Sequence, residues 1–191
     1  MKRRGNIYIV SAPSGAGKST LCRELLKIYP DITYSISHTT RRPRAVEQDG
    51  VDYHFIAKEA FQERIEQGLM AEWAEVHGNY YGTSLETLEA TVSKGIDVLL
   101  DIDVQGARQM CEALPSCVTI FIMPPSEEEL LARLEKRGTD TPETIKKRMK
   151  NAVGEMNQRD FYRYVIINDG LEEAVAAFVA VVKGCRDGVA S

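Results

Sequence analysis

The sequence predicts an α/β fold in which a parallel sheet is covered by helices, and three observations carry that reading. Short apolar runs recur along the chain without clean polar alternation, as expected of parallel strands buried on both faces. Segments of helical period separate those runs. The first run leads directly into a glycine-rich loop ending in Lys-Ser, and then into a helical period. The bulk numbers agree. A chain of 191 residues, 43% hydrophobic and 27% charged, is long enough to bury a core and has the balance of a soluble globule. Its net charge of −4 gives no support to general nucleic-acid binding, so any anion site must come from local Arg and Lys.

In chain order, residues 6–10 (NIYIV) form the expected first strand. The loop SAPSGAGKST follows, and then a helix marked by Leu21, Leu25, Leu26 and Ile28. Further strands are expected at 32–37, 97–103 (DVLLDID), 117–123 and 164–169. Ser126 to Glu129 has the form of a capping box, with Leu130, Leu131 and Leu134 on one face and Gly138 just past the helix end. Thr141-Pro142 reads as an N-cap and first helical residue of a helix running towards Asn157. The last helix is expected over 171–183, with Gly184 after it. Residues 38–90 differ in texture, with half-exposed strands at 51–56, 70–76 and 79–84 and turn residues at His77-Gly78-Asn79. The expectation is one domain over 1–191. Its core takes 1–37, 91–125 and 161–191, a small mixed lobe takes about 38–90, and a helical, Arg/Lys-rich insertion takes about 126–160.

Cys22, Cys111, Cys117 and Cys185 show no CxxC pair and no zinc spacing, and His38, His54 and His77 form no ligand pattern. The run at 7–10 is too short for a signal-peptide core, and no run reaches the ~20 apolar residues of a membrane span. A reducing cytoplasm, without membrane or nucleic-acid partners, is the expected setting.

The strongest chemical signal is Ala12 to Ser19, APSGAGKS, which misses the phosphate-loop pattern only at its first position. Gly15 and Gly17 let the backbone turn tightly and aim its N–H groups at phosphate, and a helix starting at Lys18 adds its positive end. Lys18 would neutralise phosphate, and Ser19 would ligate Mg²⁺. Asp101 and Asp103 close an apolar run. As strand residues two apart they would share a side, where they could hold magnesium water and orient a second ligand. Arg41, Arg42 and Arg44, stiffened by Pro43, offer guanidinium forks suited to phosphate oxygens, although a solvated basic loop would look the same.

The succession APSGAGKS, SHTTRRPR, EQDGVDYHF, EWAEVHGNYYGTS, DIDVQG and RLEKRGTD resembles guanylate kinase over nearly the whole chain, from about 6 to 169. The fold so implied is a P-loop NTPase-like parallel sheet core flanked by helices, with a GMP-binding lobe and a helical lid. The resemblance implies transfer of the γ-phosphoryl group of ATP to GMP, with Mg²⁺. It puts Ala12, Pro13, Ser14, Gly15, Ala16, Gly17, Lys18, Ser19, Thr20, Arg133, Arg137 and Asn168 on ATP. Ser37, Arg41, Arg44, Tyr53 and Tyr81 fall to the GMP phosphate, and Glu72, Thr83 and Asp103 to guanine and its surroundings. Asp101 is expected beside GMP and, with Ser19, around the metal. Lys18, Arg44, Arg137 and Arg148 are the expected catalytic charges. The residues give Glu72 a reason of its own: one carboxylate accepts the adjacent N1–H and 2-amino donors of guanine, which adenine lacks. Another nucleoside-monophosphate kinase and a non-catalytic scaffolding module are the rivals. The base-reading set opposes the first, and an intact Lys18, Ser19 and Asp101 oppose the second. The motifs leave dGMP use and oligomeric state open.

Overall fold

The run expected at 6–10 folds as β1 (Ile7–Ser11), buried at every position. The helical period after the glycine-rich loop folds as α1 (Lys18–Ile28), which buries Leu21, Cys22 and Leu25. A computed structural model of the chain describes residues 3–136, 138 and 140–188. Two compact units emerge. One comprises the residues up to Ile7, Ile32–Leu100 and Gln105–Cys117; the other comprises Tyr8–Asp31, Asp101–Val104 and the residues from Val118 on.

In the first unit β2 (Thr33–Tyr34) pairs in parallel with β7 (Val98–Asp101), Thr33 opposite Val98. Val98 N–H donates to Asn6 O, just ahead of β1, at 2.9 Å. The same unit carries a four-stranded mixed sheet in the order β4-β3-β6-β5, formed by β3 (His38–Thr39), β4 (His54–Phe55), β5 (Met70–Val76) and β6 (Asn79–Ser84). Its helices are α2 (Lys58–Glu66), α3 (Leu85–Val92) and α4 (Val104–Ala113). The β5–β6 hairpin turns on two residues in the left-handed region, His77 at φ 51° and Gly78 at φ 78°. A two-residue turn of that kind matches the natural twist of the strands. The turn expected at 77–79 is therefore one residue shorter, and Asn79 already pairs with Val76.

In the second unit β1, β8 (Val118–Met123) and β9 (Tyr164–Ile167) pair in parallel, with Val10 opposite Ile120 and Ile122 opposite Ile166. Ile102 N–H, just past β7, donates to Val10 O at 3.2 Å. Tyr8, Ile9, Val10, Ile120, Phe121 and Ile122 are fully buried, which explains the unbroken apolar runs. The remaining helices are α5 (Glu127–Lys136), α6 (Pro142–Met156) and α7 (Leu171–Arg186).

The helix signals at 126–157 are realised in detail. Ser126 Oγ accepts from Glu129 N at 3.2 Å, and Thr141 Oγ1 accepts from Thr144 N at 3.3 Å. Gly138 turns at φ 64° while its N–H donates to Glu135 O.

Several expectations are corrected. The strand read at 32–37 is only Thr33–Tyr34, and that read at 51–56 is only His54–Phe55, where Tyr53 instead makes an isolated bridge to Asp49. The 97–103 strand stops at Asp101, and the 164–169 strand at Ile167. Asp103 therefore lies beyond the strand, and the shared face argued for Asp101 and Asp103 is lost. The last helix runs through Gly184 to Arg186. Its final turn is held by Arg186, which pairs with Asp31 at 2.8 Å and lies over the Tyr29 ring at 4.7 Å. That anchoring outweighs the ~1 kcal/mol by which glycine disfavours a helix.

Candidate active site

The loop between β1 and α1 holds Gly15 at φ 100° and Gly17 at φ 92°, a region open to glycine and strained for other residues. Space is short as well. A Cβ on Gly15 would come within 2.9 Å of Leu130 Cδ1, and one on Gly17 would collide with Asn168 Nδ2. Gly17 caps α1 with no side-chain hydrogen bond, so no capping side chain takes the first N–H groups of the helix. The loop is fixed from below. Buried Asn168 donates from Nδ2 to Ala16 O at 2.7 Å, and Ala16 N–H donates to Pro13 O at 3.1 Å.

A cavity of about 330 Å³ opens on this loop, lined by Ala12, Pro13, Ser14, Gly15, Gly17, Lys18, Ser19, Thr20 and Glu155. Lys18 pairs with the Asp101 carboxylate and donates to Ile102 O at 3.5 Å. Glu155, on α6, is absent from the sequence reading. Burial raises its carboxyl above the usual range; Lys18 and a hydrogen bond from Ser14 N–H pull the other way. Its signal was an acid beside Met156 and three residues from Ala152, the two buried positions of α6. Cys22, one turn into α1, is pushed up to about 12, first by burial and then by Asp101, against Lys18. It is a packing residue rather than a reactive thiol.

Of the expected ATP-side arginines, Arg133 donates to Glu129 Oε1 at 2.8 Å, to Asn168 O at 2.9 Å and to Asp169 O at 3.5 Å. A cavity of about 510 Å³ is lined by Ile167, Asp169, Gly170 and Glu173. Arg148 pairs with Asp140 at 3.2 Å. Arg137 lies outside the described residues.

The first unit gathers the other set. Arg41 forms a two-pronged ion pair with Glu47 and lies beside the rings of Tyr53 and Phe55, at 5.5 and 5.9 Å. The Tyr53 and Tyr81 rings meet edge-on at 6.0 Å. Arg44 is exposed, and its N–H donates to Glu47 Oε2 at 2.7 Å. Ser37, half-buried, gives its carbonyl to His54 N–H at 2.9 Å.

Glu72 is 7% exposed on β5, opposite Thr83 on β6, and Thr83 Oγ1 donates to Glu72 Oε1 at 2.6 Å. The register shifts between Met70 and Glu72, an irregularity that re-aims the side chains beyond it. Gln109 of α4 clips the same strand by bonding both N–H and O of Trp73, at 3.0 and 3.1 Å. Trp73 stays 37% exposed and meets Tyr80 edge-on, so it packs the lobe only in part. Asp103 is exposed and sits with Asp101 in the second unit.

No helix among the described residues is long and apolar enough to cross a membrane. The residues offered to Mg²⁺ fit it as far as donor chemistry goes. Ser19 presents a hydroxyl at the cavity, and Asp101 presents a carboxylate beside Lys18. No group of three or more His, Cys, Asp or Glu suited to a metal occurs among the described residues. Such a sparse set suits a cation that keeps waters and phosphate oxygens as most of its ligands.

A family model described as "Guanylate kinase" matches residues 4–184. A guanylate kinase of Geobacter metallireducens is 50% identical over 188 residues, covering 97% of this chain and 93% of the relative. One of Neisseria gonorrhoeae is 49% identical over 184 residues, covering 96% and 90%. Among solved structures, the guanylate kinase from Anaplasma phagocytophilum is similar at a TM-score of 0.72 and 36% identity, covering 96% of this chain and 87% of that one.

Proposed function

The chain belongs to the guanylate kinase family, and from that premise we propose that its two compact units divide the substrates, ATP on the phosphate loop and GMP on the small lobe. The reaction is ATP + GMP → ADP + GDP. Its nucleophile is a phosphate oxygen of GMP, already ionised at neutral pH, so no general base is needed. Catalysis then rests on in-line positioning and on neutralising charge as the phosphoryl group passes.

On the ATP side, residues 12–20 surround the phosphates, with backbone N–H donors from Gly15, Gly17, Lys18 and Ser19, and Lys18 exchanges its bond to Asp101 for the transferring phosphate. Mg²⁺, held by Ser19 and through water by Asp101, would add charge neutralisation at the phosphates. Arg133, bonded to Asn168 O and Asp169 O, and Asn168 hold the adenine side, next in the chain to the cavity at Asp169 and Gly170. Arg137 and Arg148 supply further positive charge in the 126–160 segment, which acts as the lid. On the GMP side, Ser37, Arg41, Arg44, Tyr53 and Tyr81 hold the phosphate. Glu72 and Thr83 of the first unit read guanine; Asp103, which the resemblance also assigns to guanine, belongs to the second unit.

The single observation that carries the base choice is the buried Glu72 carboxylate held by Thr83. A carboxylate in that setting can accept the adjacent N1–H and 2-amino donors of guanine, a pair that adenine lacks. ADP release from the whole protein, measured with GMP, AMP, CMP and UMP as acceptors, tests the reading. A preference for GMP of about 100-fold or more is expected. Equal rates with AMP would remove the guanine assignment, and no acceptor-dependent ADP would remove the ATP-to-GMP transfer itself.

A further inference from the structure

Glu47 opens the EQDGVDYHF block and carries no role in the sequence analysis, yet it organises the arginines of the small lobe. Its Oε2 and Oε1 accept from Arg41 Nη1 and Nη2, each at 2.9 Å. The same Oε2 accepts from Arg44 N–H at 2.7 Å, and Glu47 N–H returns a bond to Arg44 O at 3.0 Å. The pair is sheltered, with side-chain exposures of 18% for Arg41 and 14% for Glu47. The Arg41 bond, and then the Arg44 N–H, hold the Glu47 carboxyl down to about 2, so it is charged at any physiological pH.

A guanidinium has five N–H donors in a rigid plane. Glu47 takes one from each terminal nitrogen, and Arg42 O takes the second from Nη1 at 2.9 Å. The other two, on Nε and Nη2, lie side by side along one edge, the arrangement that grips two phosphate oxygens together. After Glu47, a hydrogen bond with the Tyr81 hydroxyl also favours the charged guanidinium, so Tyr81 would share the guanidinium with the phosphate. Tyr53 and Phe55 flank it.

We propose that Glu47 is a positioning residue for the acceptor phosphate, holding Arg41 by one edge so that its other edge is presented to the phosphate of GMP. The inference rests on the reading that this lobe holds that phosphate. A competing arrangement would make Glu47 a latch that the phosphate must displace. The donor count opposes it, because carboxylate and phosphate use different edges. The bond from Arg44 N–H opposes it too, because it builds the carboxylate into the 44–47 turn. An arginine locked before its ligand arrives loses little freedom on binding.

Calorimetric titration of the whole protein with GMP and, separately, with guanosine tests this. Glu47→Gln keeps the shape and one acceptor oxygen but turns an N–H group towards Arg41. GMP affinity should fall about tenfold, in line with the loss of a charge-assisted two-pronged bond. Guanosine affinity and the KM for ATP should stay within twofold. In the Arg41→Lys background, Glu47→Gln should add nothing, because the fork it positions is gone. GMP binding by Glu47→Gln as tight as the parent's, or tighter, overturns the proposal. An equal loss of guanosine, or a loss that persists in the Arg41→Lys background, overturns it as well. A parent protein that binds guanosine and GMP equally would instead remove the phosphate-site reading beneath it.

Discussion

The phosphate loop of the second unit and the arginine site of the first, the two anion sites proposed above, are built differently, the loop from main chain and the lobe from side chains. In the loop, residues 12–17 are contiguous and their geometry is enforced by two left-handed glycines and a helix start. The donors are backbone N–H groups that cannot rotate away. In the lobe, Arg41 and Arg44 share one loop while Tyr53 and Tyr81 come from two other segments, and the Arg41 guanidinium is bonded by the Glu47 carboxylate. A main-chain site thus depends on backbone conformation. A side-chain site depends on partners, and its weak points are those partners.

The largest expected effect tests whether the loop also depends on one side chain. Lys18→Met should fold and bind nucleotide, while kcat falls about 10³-fold, because charge stabilisation of the transferring group is lost. A folded variant with near-parental turnover would show that the loop works by main chain alone.

Next comes Glu72→Gln, the corresponding cut on the lobe. Its amide must turn an N–H group towards Thr83 or guanine. The loss should be roughly 2–4 kcal/mol, or about 30- to 1,000-fold in kcat/KM for GMP, with the KM for ATP unchanged. If GMP is still preferred over AMP as in the parent, Glu72 is a structural acid and the lobe's base reading fails.

Gly17→Ala attacks the loop through its backbone. The residue sits at φ 92°, and its new Cβ would meet Asn168 Nδ2. A stability loss of about 1–3 kcal/mol is expected, with a raised KM for ATP and an unchanged KM for GMP. Denaturant melts and initial rates would show it. A variant with parental stability and parental KM values would mean that the loop tolerates a shift the geometry forbids.

The smallest effect is one of pH, and it belongs to the lobe. His38 lies against His54, ring centroids 4.8 Å apart. Burial first, then the charges of His54 and Arg64, lower its pKa from 6.5 to about 4. Below pH 6.5 the unfolded chain takes up a proton that the fold refuses until about pH 4. Stability from this group is therefore complete above 6.5 and is lost as pH falls through that window. The loss should be about 1–2 kcal/mol after solvent screening. Urea melts at pH 7 and pH 4.5 should show a larger drop for the parent than for His38→Gln. Equal drops would assign the acid sensitivity elsewhere.

What could be read from the sequence was local. APSGAGKS announces a loop because two glycines, a lysine and a helix start lie within eight residues. Thr141-Pro142, Ser126 and Gly138 announce helix ends because capping is a matter of a few neighbouring atoms. His77-Gly78 announces a hairpin for the same reason, and unbroken apolar runs announce strands buried on both faces. Tertiary structure alone decided the rest. Glu72 meets Thr83 through cross-strand pairing beside a shift of register. Asn168 reaches Ala16 across 152 residues of chain, and Glu155 reaches the loop from the far end of α6. Even Glu47, six residues from Arg41, could not be distinguished from an ordinary surface acid until the 44–47 turn brought it round. The physical reason is range. Dihedral preference, capping and hydrophobic period act over a few residues and are written in order along the chain. The pairing of one side chain with another depends on register and packing, which exist only once the whole chain has folded.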